Sequence, residues 1–253
     1  NKNGEMNEKF LSRWVDEKNE PVDDYLGFAK DVLNIPAAHL MIGNYSVIDQ
    51  EKRKLILLRP YQIHAIDKIK EASRKQESGF VWHTTGSGKT LTSYTVTKNL
   101  LDIPAIDKTI FLIDRKDLDQ QTSNDFQSYA ENDDVDIEDT ARTSVLEDKL
   151  LNDSRIAIVT TIQKFQNILR KYSKDQLSPQ LEKARQKLKN KHLAFVIDEC
   201  HRTVTPETKR EIERFFDKPG KKSLWYGFTG TPIFDKNKKA AKGDLPRTTE
   251  QQF

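Results

Sequence analysis

His83-Thr84-Thr85-Gly86-Ser87-Gly88-Lys89-Thr90 follows a short apolar run, Gly79-Phe80-Val81-Trp82, and precedes a helix-forming run over residues 91–101. Strand, glycine-containing loop, Lys-Thr and helix together make a phosphate-binding loop. Glycine lets backbone N–H groups turn toward phosphate oxygens, so Thr85, Gly86, Ser87 and Gly88 are expected to form the cradle. The helix that begins there adds the positive end of its dipole. Lys89 is expected to reach the β- and γ-phosphates of a nucleotide, and the Thr90 hydroxyl to hold Mg²⁺. One position departs from the general G-x-x-x-x-G-K-T pattern, because His83 stands where glycine is usual.

Outward from this loop, apolar segments alternate with helix-forming ones. Strands are expected at 79–82, 109–114, 155–160, 193–198 and 223–229, with helices at 61–76, 90–101, 116–129, 162–172, 176–190 and 206–216. The strands are rich in Ile, Val and Phe and lack polar alternation, which fits a mostly parallel sheet buried on both faces. Such βα repetition predicts a three-layer α/β domain with ligands at the carboxyl ends of the strands. Residues 1–53 read as a small, mainly helical appendage or connector, and 54–253 as the nucleotide-binding domain. Residues 10–15 and 25–33 have helical apolar spacing, and Pro21 and Pro36 punctuate them. Asp16-Glu17-Lys18 has the D-x-K form seen at the edge of many nuclease sites, but a charged helix face explains it better. The acidic stretch 131–136 reads as a solvated loop. The basic stretch 183–191 reads as a solvated helix face, with a DNA-backbone contact as the sharper alternative.

Composition bounds the rest. The chain has 253 residues, 32% charged and 36% hydrophobic, enough for one large domain plus an appendage. A net charge of +3 announces no global basic field, so any contact with nucleic acid has to be local. No apolar run approaches a membrane span and no secretory signal is present, which fits a cytoplasmic setting without membrane contact. The single cysteine, Cys200, excludes an intramolecular disulfide framework and a Cys-rich zinc site. Asn1 at one end and Glu250-Gln251-Gln252-Phe253 at the other read as the interior of a longer protein.

The second half of a nucleotide site lies at 193–201. The apolar run Leu193-Ala194-Phe195-Val196-Ile197 ends in Asp198-Glu199-Cys200-His201. A strand that delivers two adjacent carboxylates to its carboxyl end suits nucleotide hydrolysis. Asp198 is expected to hold Mg²⁺ through water, since Mg²⁺ keeps several of its own waters. Glu199 is expected to take a proton from the attacking water or to orient it. Arg59-Pro60-Tyr61-Gln62 opens a helix upstream; the Gln62 amide matches the N6/N7 edge of adenine, and Tyr61 or Arg59 would stack on the base. Phe228-Thr229-Gly230-Thr231-Pro232 places small hydroxyl residues on a turn, where they would bond Glu199 or His201 and sense the γ-phosphate. Two further strand ends carry Asp114-Arg115-Lys116-Asp117-Leu118-Asp119-Gln120 and Thr160-Thr161-Ile162-Gln163. Arg115, Gln120, Thr160, Thr161 and Gln163 are candidate contacts to a nucleic-acid backbone. Helix capping also explains the Thr and Asp residues among them.

In order, RPYQ, TGSGKT, DRKDL, TTIQ, DECH and TGTP resemble the first, RecA-like motor lobe of superfamily 2 helicases and translocases. LRPYQIHAI, WHTTGSGKTLT, FLIDRKDLDQQ, FVIDECHRT and FTGTPIF look more closely like the R subunit of type I restriction enzymes, over roughly residues 50–235. His83 then marks that branch, and Cys200 is a small residue of the box rather than a redox group. The resemblance implies a lobe that binds ATP and Mg²⁺ and helps pull duplex DNA past methylation and specificity subunits before cleavage. It implies that Thr229 and Thr231 couple hydrolysis to DNA. It also implies a nuclease domain upstream and a second lobe with an arginine finger downstream. The fragment by itself is therefore expected to lack nuclease activity and steady ATP turnover. The alternatives are a lobe of another superfamily 2 helicase, or a non-catalytic adaptor on the same fold. Intact Lys89, Asp198 and Glu199 argue against the adaptor.

Overall fold

The computed structural model describes residues 14–16, 18, 20–84, 86–113, 120–131, 135–136, 143–234, 236 and 248–253. Two helices come first, α1 (Tyr25–Val32) and α2 (Ile35–Tyr45). Side chains start both: Asp24 accepts from Gly27 N and Asn34 from Ala37 N. Pro36 lies in the first turn of α2, where a missing N–H costs nothing. An antiparallel hairpin follows, β1 (Ser46–Asp49) with β2 (Lys54–Leu57). Asp49 is buried and ties the hairpin down, accepting from Ser128 Oγ at 2.8 Å and pairing with Lys52 at 3.1 Å.

From there helix and strand alternate: α3 (Pro60–Arg74), β3 (Gly79–Trp82), α4 (Lys89–Leu100), β4 (Lys108–Ile113), α5 (Gln120–Ala130), β5 (Val135–Asp136), α6 (Thr143–Leu151) and β6 (Ile156–Thr161). The chain continues through α7 (Ile162–Tyr172), α8 (Pro179–Lys189), β7 (Leu193–Ile197), α9 (Cys200–Thr203), α10 (Pro206–Phe216), β8 (Leu224–Thr229) and α11 (Thr249–Gln252). Strands β3 to β8 form one sheet in the order β3-β8-β7-β4-β6-β5, and every neighbouring pair is parallel. The expected parallel α/β domain is therefore the observed one. The acidic stretch expected to be a solvated loop is in part structured: Val135 and Asp136 pair with Ala157 and Ile158 at the sheet edge.

Alternation along the strands builds a core on each face. Phe111, Ile113, Val159, Val196, Tyr226 and Phe228 point to one side, where Ile66 and Ile69 of α3, Tyr94 of α4 and Phe126 of α5 meet them. Ile110, Leu112, Ile158, Phe195, Ile197 and Trp225 point to the other, against Phe165 of α7, Leu188 of α8 and Phe216 of α10. Phe195 and Trp225 stack at 4.2 Å between ring centres, within 13° of parallel. Each such side chain contributes roughly 1.5–3 kcal/mol when fully buried, so the two layers hold the strand ends rigidly.

The basic stretch around α8 is engaged locally. Lys187 and Lys191 both pair with Asp153, at 2.9 and 2.8 Å, Arg185 pairs with Glu182 at 2.7 Å, and Lys189 lies over the Phe215 ring. These partners support the reading of 183–191 as a helix face rather than a DNA contact.

Candidate functional site

Parallel strands bring their carboxyl ends to one edge of the sheet, and most of the predicted site residues gather there. The loop after β3 is shaped by two glycines, Gly86 at φ 79° and Gly88 at φ 82°. Both lie in the left-handed region, which costs other residues roughly 1–2 kcal/mol. Gly88 caps α4, so the first-turn N–H groups, which have no acceptor within the helix, open toward the loop. Thr85 lies outside the described residues.

Lys89, Asp198 and Glu199 meet across this edge. Lys89 Nζ stands 3.0 Å from Asp198 Oδ1 and also bonds Glu199 Oε1. Burial pulls the Lys89 ammonium down, but the two carboxylates outweigh it and hold its pKa above the ordinary lysine value. Burial raises the Asp198 carboxyl, and the nearby ammonium offsets this only in part. The two directions describe one ion pair in a partly dry cleft, and facing two carboxylates keeps the ammonium charged. Glu199 has φ 44°, a left-handed backbone for a residue with a side chain, at the cap of the short helix α9. Strain of this kind persists where surrounding structure over-determines it, most often at functional sites. Thr203 Oγ1 donates to Asp198 O and holds the turn.

The third predicted group assembles as well. His201 Nδ1 is 2.8 Å from Thr229 Oγ1 and 3.6 Å from Glu199 Oε2, and His201 Nε2 is 3.3 Å from Thr231 Oγ1. Thr231 N donates to Thr229 Oγ1 at 3.1 Å, and Gly230 O accepts from Trp82 Nε1 at 3.3 Å. Cys200 is buried, and burial pushes its thiol up to about 12, so it is a packing residue rather than a reactive one.

The adenine element is arranged differently from the expectation. Gln62 is buried and its amide is engaged within the protein. Its Oε1 accepts from Arg59 N at 2.9 Å, and its Nε2 donates to Gly88 O at 3.2 Å and Thr92 Oγ1 at 2.9 Å. Tyr61 is exposed, and its hydroxyl donates to Ser87 O at 2.6 Å. Arg59 is the residue before α3 and is exposed. Thr92 and the ring of His83, which join this element to the loop, are residues that motif reading missed. A polar residue on an otherwise buried helix face was the signal available for Thr92.

Of the nucleic-acid candidates, Thr160, Thr161 and Gln163 have described side chains. Arg115 lies outside the described residues, and Gln120 is described only as the first residue of α5. Thr160 is 3% exposed and Thr161 4% exposed, so neither hydroxyl is offered to solvent as expected. Thr161 instead caps α7, accepting from Lys164 N. Gln163 is exposed.

Thr90 and Asp198 offer one hydroxyl and one carboxylate, and among the described residues no cluster of three metal-ligating side chains exists. A cation there would take its other ligands from phosphate and water, which suits Mg²⁺. With the glycine-shaped loop and the Lys89 ammonium, the donor set fits a Mg²⁺–nucleoside triphosphate. Among the described residues no helix is long and apolar enough to cross a membrane.

The model of the SWI2/SNF2 ATPase family matches residues 61–245. The chain is 36% identical over 238 residues to the type I restriction enzyme SauCOLORF180P endonuclease subunit of Staphylococcus aureus strain COL, covering 94% of this chain and 24% of that protein. It is 33% identical, with the same coverage, to the SsaAORF53P endonuclease subunit of Staphylococcus saprophyticus. The chain thus spans about a quarter of the length of these relatives. It is 36% identical over 217 residues to the C-terminal part of the MpnIIP type I restriction enzyme endonuclease subunit of Mycoplasma pneumoniae, covering 81% of this chain and 100% of that one.

Proposed function

Because the chain belongs to the SWI2/SNF2 ATPase family and to the family of type I restriction enzyme endonuclease subunits, we propose that it is an ATP-binding motor lobe that couples ATP hydrolysis to movement of duplex DNA. In this reading residues 54–253 are the lobe and 1–53 the connector to the rest of a longer subunit. That subunit would work with methylation and specificity subunits in the cytoplasm. The observation that carries the proposal is the meeting of Lys89, Asp198 and Glu199 beside the glycine loop, with His201 linking Glu199 to Thr229 and Thr231.

Each residue then has a task. Thr85 to Gly88 present backbone N–H groups to the phosphates, and the Lys89 ammonium moves from the carboxylates onto the γ-phosphate. Thr90 and Asp198 would hold Mg²⁺, which would supply positive charge to the phosphates there. Lys89 leaving Glu199 frees that carboxylate to orient the attacking water and take its proton. His201, beside Glu199, passes the change to Thr229 and Thr231. Arg59 and Tyr61 flank the base. Gln120 and Gln163, at the starts of α5 and α7, are the positions proposed to track the DNA backbone, together with Arg115.

Binding of a fluorescent ATP analogue with Mg²⁺, measured on this chain, tests the reading. We expect saturable binding that Lys89→Ala weakens at least tenfold. Undiminished binding by that variant would overturn the assignment.

A further inference from the structure

Behind the phosphate loop a series of hydrogen bonds runs from the start of α3 to the crest of the loop. Gln62 Nε2 donates to Thr92 Oγ1 at 2.9 Å, Thr92 Oγ1 stands 3.1 Å from His83 Nε2, and His83 Nδ1 bonds Ser87 Oγ. Ser87 Oγ in turn donates to Thr84 O. Counting protons gives the series a direction. Ser87 uses its proton on Thr84, so it accepts from His83, and the imidazole must carry its proton on Nδ1. Nε2 is then an acceptor for the Thr92 hydroxyl. Gln62 fills the remaining needs, giving one amide proton to Thr92 Oγ1 and the other to Gly88 O at 3.2 Å. His83 is 5% exposed, and burial, aided by the charge of Lys89, keeps its pKa below the ordinary value, as a neutral ring in this network requires. Its ring also stands edge-on to Tyr61, 5.9 Å away.

We propose that His83 and Thr92 are positioning residues that make the curl of the phosphate loop depend on which base Gln62 holds. This rests on the nucleotide-binding reading above and goes beyond it. Adenine offers a donor at N6 and an acceptor at N7, and one amide satisfies both; guanine offers two acceptors there, which one amide does not satisfy. To meet adenine, Gln62 withdraws its amide protons from Gly88 and Thr92. The Thr92 hydroxyl has Gly88 O as its alternative acceptor, at 3.1 Å. When it turns there, His83 loses its donor and the hold on Ser87 changes. Guanine leaves Gln62 facing inward and the loop tied back. Base identity thus reaches the phosphate loop through two side chains that touch neither base nor phosphate in this arrangement.

Thr92→Val removes the hydroxyl with little change of shape, and Thr92→Ser restores it. Affinities for ATP and GTP with Mg²⁺ are measured by calorimetry on this chain, with tripolyphosphate as a ligand that has no base. We expect the ATP preference of the parent chain to fall about tenfold in Thr92→Val and to persist in Thr92→Ser. His83→Gln, which cuts the series at another point, should lower the preference in the same way and covers the case in which Thr92→Val fails to fold. Nitrogen NMR of the imidazole supplies a second readout. His83 should show the Nδ1–H tautomer without ligand, shift with ATP, and shift less with GTP. A preference for ATP that survives both Thr92→Val and His83→Gln would overturn the relay, as would identical His83 shifts with ATP and GTP. Loss of all binding in Lys89→Ala together with such a result would leave the nucleotide site standing and remove only the relay. Failure of the parent chain to bind either ATP or tripolyphosphate would instead remove the underlying reading.

Discussion

Gly227 of β8 lies directly against Cys200 of α9: a Cβ built on Gly227 would fall 2.7 Å from the Cys200 sulfur and 2.8 Å from its Cβ. The short helix that begins after Glu199 is therefore seated on a strand position that tolerates no side chain. Gly227→Ala should push α9 off the sheet and lower stability by about 1–3 kcal/mol. It should also weaken nucleotide binding, because Asp198 and Glu199 precede that helix. Adding Cys200→Ala removes the sulfur but not the Cβ contact, so it should recover part of the loss. Urea unfolding of the single and double variants checks both effects; equal stability of Gly227→Ala and the parent would contradict the packing.

The two loop glycines should differ in sensitivity. A Cβ on Gly88 would lie 2.8 Å from Gln62 Nε2, whereas one on Gly86 meets nothing within 4 Å. Both pay for a left-handed backbone, roughly 1–2 kcal/mol. Gly88→Ala should also displace Gln62 and abolish discrimination between ATP and GTP, while Gly86→Ala should retain it. Titrations of both variants with the two nucleotides separate these outcomes.

Lys89→Ala has a structural consequence besides its effect on nucleotide. It leaves Asp198 and Glu199 facing each other in the cleft without their cation, which should lower stability by about 2–4 kcal/mol at pH 7. Burial already raises the Asp198 carboxyl above its unfolded value, and losing Lys89 raises it further. The folded variant then takes up protons that the unfolded chain does not, so stability returns as pH falls from 7 toward 5. Thermal melts at the two pH values measure this. A variant equally destabilised at both would show that the carboxylates are not the cause.

Lys108 supplies a pH effect of opposite form. It is fully buried at the start of β4, bonded to Asn152 and Ser154 O, and burial lowers its pKa from 10.5 to about 8. Between these values the unfolded chain holds a proton that the folded chain has released. Folding therefore gains stability as pH rises from 8 to 10.5, and below 8 the full cost of the charge is present. Against Lys108→Met, which has no such proton, the parent should gain about 2–3 kcal/mol between pH 7.5 and 10. Urea titrations of both proteins at the two pH values test it, and a constant difference would exclude it.

The βα units were legible because each carries its own apolar run and its own helix start. The helices expected at 162–172 and 206–216 are α7 and α10, capped by Thr161 and Thr205. The hairpin at 46–57 was not, because Leu55 and Leu57 are 63% and 57% exposed and Ile48 50%, so its apolar residues do not mark a buried face. Lys89, Asp198, Glu199, His201 and Thr229 could be named since strand ends of a parallel sheet converge whatever the helices between them do. The inward turn of Gln62 could not, because it depends on the curl of a loop 26 residues away in sequence. Thr160 and Thr161 show the converse: hydroxyls at a strand end read as surface groups in sequence, and the close packing of β6 into its neighbours buries them.

Among the described residues the loop-bearing strand β3 pairs with one strand, β8, through Gly79–Tyr226 to Trp82–Thr229. The ladder continues one residue further, where His83 N donates to Thr229 O at 2.9 Å. In mechanical terms this ladder is a clamp that joins the loop after β3 to the turn after β8. The loop and the Thr229 turn are geared together at this clamp, because that hydrogen bond ties the first residue after β3 to the last residue of β8.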